Sequence, residues 1–115
     1  MKTILVLEND PVNIKAFSTM LGMAGYRVLE TTNGNDALEA GRGGSAPPDL
    51  FLSDVAVPGC SGPAAALELS RMHPTMRTLF VSGTPLNDWD QSDLQKVQQI
   101  TPDRCRERSP AADRR

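Results

Sequence analysis

Residues 3–11 read TILVLENDP. Thr3 to Leu7 is short, apolar and rich in β-branched residues, as a strand buried on both faces of a parallel sheet reads. It stops at Glu8-Asn9-Asp10, and Pro11 follows. Two carboxylates about 4 Å apart repel by about 1 kcal/mol in water, and by more where water is scarce. A plain soluble fold has no need for acids at the end of a buried strand, so something must offset the repulsion. Asp10 before Pro11 reads as a helix N-cap followed by proline at the first helical position. That leaves Glu8 to be explained.

The same alternation runs on through the chain. From Val12 to Met23, apolar residues Ile14, Phe17, Leu21 and Ala24 recur at helical steps, and Gly25 is placed to cap the end. Tyr26 to Thr32 reads as a second strand, Asn35 to Ala40 as a short helix, and 45–48 as a loop broken by two prolines. Asp49 to Asp54 is a third buried-type strand, 57–62 a loop of turn formers, and Pro63 to Met72 a third helix. Arg77 to Ser82 is a fourth strand, and Asp88 or Asp90 caps a fourth helix running to about Ile100. Strands alternating with helices imply right-handed βαβ units and a parallel, doubly wound α/β sheet. Residues 1–100 form one domain. Residues 101–115, TPDRCRERSPAADRR, are polar and arginine-rich and read as a disordered tail.

The totals exclude several classes. The chain has 115 residues, 39% hydrophobic and 23% charged, enough for one domain with a core. A net charge of -2 and 4% aromatic residues argue against a nucleic-acid surface or a base-stacking platform. No apolar run reaches the length of a membrane span and no signal peptide is legible, which points to a cytoplasmic protein. Cys60, Cys105 and the single His73 lack metal-ligand spacing, so the cysteines read as reduced thiols.

In an open parallel sheet, ligands bind beyond the carboxyl ends of the strands. Glu8, Asn9 and Asp10 follow strand one, Asp54 ends strand three, and Ser82, Gly83 and Thr84 end strand four. Oxygen donors of this kind suit Mg²⁺, which needs only one or two carboxylates and keeps several waters. A bound cation would also offset the repulsion between Glu8 and Asp54. With a metal in place, Asp54 can attack a phosphoryl group and the Ser82 hydroxyl can hold one of its oxygens.

The order ILVLENDP, then DLFLSDVAVPGCSG, then LFVSGTP resembles the receiver domain of two-component response regulators. AGYRVLETTNGNDALE and ELSRMHP add weaker matches, and the resemblance spans about Lys2 to Thr84. It implies the flavodoxin-like receiver fold with strand order 2-1-3-4. It implies phosphorelay signalling by a module that is not an enzyme, with a histidine kinase or phosphotransfer protein as partner and no direct contact with nucleic acid or membrane. Residue by residue, Asp54 matches the phosphoacceptor and Glu8 the acid that acts on Mg²⁺ through water. Asn9 stands where a second acid is normally a direct ligand, and the Ala56 carbonyl completes the metal contacts. Ser82 matches the switch hydroxyl. Gly83 keeps the space beside it small, Pro58 and Gly59 shape the loop, and Gly62 precedes helix three.

Two departures stand out. Asn9 offers an amide oxygen without full charge, which weakens the expected metal site. The family's fifth strand, ending in Lys-Pro, and its fifth helix are not readable. The only lysines are Lys2, Lys15 and Lys96, and Arg104 has no apolar run before it. On this reading strand four is left as a bare edge. A non-phosphorylated pseudo-receiver acting as an interaction module is the alternative. A Mg²⁺-dependent phosphohydrolase would want a second acid where Ala56 stands.

Overall fold

The computed structural model describes residues 1–43, 47–81 and 90–100, together with the backbone of 105–108. The elements run β1 (Thr3–Leu7), α1 (Pro11–Met23), β2 (Arg27–Thr31), α2 (Gly34–Arg42), β3 (Leu50–Ser53), α3 (Gly62–Met72), β4 (Arg77–Val81), α4 (Gln91–Gln98) and β5 (Cys105–Arg108). All strands pair in parallel, in the order β2-β1-β3-β4-β5. The doubly wound sheet and the 2-1-3-4 order match the sequence reading.

The fifth strand is a correction. Cys105–Arg108 pairs with Thr78–Val81, so β4 is not a bare edge. The segment is too polar to read as a buried strand, but pairing is a property of the backbone and the open side of β4 supplies the partner groups. Charged sequence is ordinary on an edge strand, where it discourages pairing with other chains. The rest of the expected tail, Arg104 and any fifth helix lie outside the described residues.

The strands are apolar throughout because helices lie on both faces of the sheet. Leu5, Leu7, Phe51 and Phe80 face α2 and α3, where Ala37, Ala65, Ala66, Leu69 and Met76 complete the main core. Ile4, Val6 and Leu52 face the other way, onto Ile14, Phe17 and Leu21 of α1. Leu50, Leu79 and Val81 on this second face are only half-buried.

Helix α1 begins and ends by devices legible in its sequence. The Asp10 carboxylate accepts the N–H groups of Val12 and Asn13, and Pro11 occupies the first turn. At the other end Gly25 takes φ 96°, its N–H reaches the Gly22 carbonyl at 3.0 Å, and the Tyr26 N–H reaches that of Leu21 at 3.1 Å. This is a Schellman motif, with glycine one position beyond the Ala24 cap. The outer side of α1 is unusual. Val12, Ala16, Met20 and Met23 are exposed at helical spacing, with Lys15 the helix's one charged residue.

Nothing crowds Gly25, so Gly25→Ala tests backbone conformation alone. It should cost about 1–2 kcal/mol in urea unfolding, the strain of a left-handed L-residue; an unchanged midpoint would mean the turn refolds without strain.

Candidate functional site

Strands β1 and β3 are neighbours in register, with Leu7 opposite Ser53. The next residue on each is an acid, so Glu8 and Asp54 come side by side at the carboxyl rim. The backbone fixes both. The Asp54 N–H donates to the Leu7 carbonyl at 2.9 Å, and the Glu8 N–H to that of Thr31 at 3.1 Å.

Glu8 is 6% exposed, with no cationic partner among the described residues, which is rare for a glutamate. Its Oε2 accepts the Asp10 N–H at 3.0 Å. Burial pushes its carboxyl above the ordinary range, that hydrogen bond opposes the rise, and the charges of Asp54 and Asp10 add to it. Asp54 is half-buried and also raised, mainly by burial, against the pull of the Val55 N–H on its Oδ1 at 2.7 Å. Oδ2 of Asp54 has no hydrogen-bond partner among the described residues.

Two glycines bring the helices close to this rim. A Cβ on Gly62 would lie 2.0 Å from the Asp54 carbonyl oxygen and 2.6 Å from the Ser53 hydroxyl. A Cβ on Gly34 would lie 1.7 Å from the Cys60 carbonyl oxygen. Their N–H groups hold the loop after Asp54: Gly62 donates to Val55 at 3.0 Å, and Gly34 to Pro58 at 3.1 Å. Gly59 turns the loop at φ 78°. Gly62 was legible as the residue before α3. The role of Gly34 was not, because the sequence does not show which loop the start of α2 meets.

The remaining expected residues are less drawn together. Asn9 is exposed and lines a cleft of about 510 Å³ between α1 and β2, with Ile14, Lys15, Ser18, Glu30 and Thr32. Ala56 is exposed in the loop. Ser82, Gly83 and Thr84 lie outside the described residues. Among the described residues no three His, Cys, Asp or Glu side chains are grouped to hold a metal ion. An amide at position 9 removes one candidate acid. What remains is an oxygen-only rim with two adjacent raised carboxylates, a donor set and charge that fit a hard divalent cation.

A parallel sheet in this order, with acids at its carboxyl rim, is the architecture of a phosphorelay receiver. The chain belongs to the response regulator receiver domain family, whose model matches residues 4–97. Sensor kinase CckA of Brucella abortus (strain 2308) is 33% identical over 81 residues, covering 70% of this chain and 9% of that protein. Polar-differentiation response regulator DivK of Brucella anthropi is 34% identical over 61 residues, covering 53% of this chain and 48% of DivK. The match thus spans about half the length of DivK and under a tenth of CckA. Among solved structures, histidine kinase ThkA in complex with response regulator protein TrrA matches with a TM-score of 0.66 and 26% identity, over 82% of this chain and 79% of that one. No helix among the described residues is long and apolar enough to cross a membrane.

The raised carboxyls set a sign for stability. A carboxyl whose folded pKa exceeds its unfolded value makes the folded state bind the extra proton, so stability falls as pH rises between the two values. The cost is absent below the ordinary aspartate value of 3.8 and fully present above the raised one. Asp54→Asn should therefore raise the melting temperature at neutral pH, with the gain vanishing toward pH 3.8. A gain that is absent at neutral pH, or equal at both ends, would contradict the burial of a charged Asp54.

Proposed function

We propose that the chain is a phosphoacceptor in a phosphorelay, taking a phosphoryl group from a histidine kinase or phosphotransfer protein onto Asp54. The observation that carries this reading is the Asp54 carboxylate itself. Val55 fixes one oxygen, and the other is without a partner among the described residues. That free oxygen is the nucleophile. As its bond to phosphorus forms, the P–N bond of the donor imidazole breaks, and the ring keeps the electron pair and takes up a proton. Asp54 acts in its ionised form, since the carboxylate is the nucleophile.

Glu8, Asp54 and the Ala56 carbonyl are the residues that would hold Mg²⁺, with Asn9 as a weak fourth donor. Bound there, the ion supplies charge to offset both the carboxylate pair and the incoming phosphoryl group. Ser82 is assigned the switch hydroxyl on its match to the family. The exposed apolar stripe of α1, Val12-Ala16-Met20-Met23, begins beside the acidic rim and suits a helical partner presenting its histidine there. ThkA in complex with TrrA is a kinase–receiver pair of the kind this reading requires. The pseudo-receiver reading draws support from Asn9, whose position on the α1–β2 cleft and lack of charge both weaken it as a ligand.

Incubation with a small phosphodonor and Mg²⁺ separates the two readings. One phosphoryl mass on Asp54, absent from Asp54→Ala, is the expected result, and Asn9→Asp should bind Mg²⁺ more tightly and load faster. No adduct on either the wild type or Asn9→Asp would leave the interaction module as the better account.

A further inference from the structure

Helix α4 is held to the molecule in an unusual way. No residue of Gln91–Gln98 is buried, and the side chain of its N-cap, Asp90, makes no capping hydrogen bond. It lies against α3, with Leu94 and Val97 half-buried and Ile100 buried just beyond its end. Among the described residues, its first turn carries one side-chain hydrogen bond to the body. The Ser61 hydroxyl donates to Asp93 Oδ1 at 2.8 Å.

Ser61 is not a neutral anchor. It is the N-cap of α3, its oxygen accepting the Ala64 N–H at 3.2 Å, and it closes the loop that begins at Asp54. That loop is braced along its length, with Val55 held by Gly62, Pro58 by Gly34, and the Asp54 carbonyl by the Ser53 hydroxyl at 2.6 Å. These bonds tie the loop between Asp54 and Ser61 to β3 and to the first residues of α2 and α3. Asp93 stands where an acid would ordinarily favour its own helix N-terminus, yet its carboxylate is engaged across the gap.

We propose that the Ser61–Asp93 hydrogen bond is a strut that makes the position of α4 depend on the loop carrying Asp54. Asp93 is a positioning residue that acts through Ser61. Because coupling between two elements is reciprocal, loosening α4 also loosens the loop. The strut rests on the geometry above, while its use as a signal path rests on Asp54 being a phosphoacceptor.

Hydrogen exchange on the full chain tests the two parts separately. Asp93→Ala should speed exchange of the α4 amides about fivefold, the loss of one hydrogen bond, and should also speed exchange in residues 55–61. Asp93→Asn keeps an acceptor oxygen and should restore the wild-type rates in both segments. Ser61→Ala should match Asp93→Ala in α4, with the double variant no worse than either. Equal rates in Asp93→Ala and the wild type, effects confined to α4, failure of the Asn rescue, or additive single effects would each overturn the strut. Beryllofluoride with Mg²⁺ should then alter α4 exchange in the wild type but not in Asp93→Ala. If it altered neither while the unliganded comparisons held, the phosphoacceptor reading would fail and the strut would stand.

Discussion

The molecule is organised around two carboxylates that the sheet forces together. Parallel pairing of β1 and β3 in the Leu7–Ser53 register makes Glu8 and Asp54 neighbours. Both are raised above the ordinary carboxylate range, Glu8 partly by the charge of Asp54. A chain selected for stability alone would not keep that arrangement, because buried like charges destabilise without supplying packing. Much of the rest serves to hold the pair in place. The apolar strands fix the register, Gly62 lets α3 approach the Asp54 carbonyl, and Gly34 pins the loop beyond it.

The two faces of the sheet divide the work. The α2–α3 side holds most of the buried core, including Phe51, Leu69 and Phe80. The α1 side is thinner, with Leu79 and Val81 half-buried, and its helix shows an apolar stripe to solvent. Helix α4 has no buried residue of its own. A packed core beside weakly held elements puts the parts able to shift at the less stable end of the fold.

Much of this was legible in the sequence because the signals were local. TILVL gave β1 its observed bounds, Asp10-Pro11 began α1, and Gly25 ended it by the geometry only glycine adopts freely. Glu8 and Asp54 could be placed together because strand ends in a parallel sheet share a rim. What could not be read depended on distant partners. β5 has three charged residues in four and exists through the backbone groups that β4 offers. Gly34 carries no local signal of the Cys60 carbonyl that leaves no room for a Cβ there. The Ser61–Asp93 bond joins residues 32 positions apart, and neither type is unusual where it stands. Asn9 was legible as a departure, but its place on the α1–β2 cleft was not.

The most direct measurement is the titration of the Glu8 and Asp54 side-chain carboxyls by carbon NMR, with and without Mg²⁺. Both should titrate above their ordinary values of 4.5 and 3.8, and Mg²⁺ should lower both. Ordinary values that Mg²⁺ leaves unmoved would contradict the claim that a buried, cation-seeking carboxylate pair is the centre of this protein.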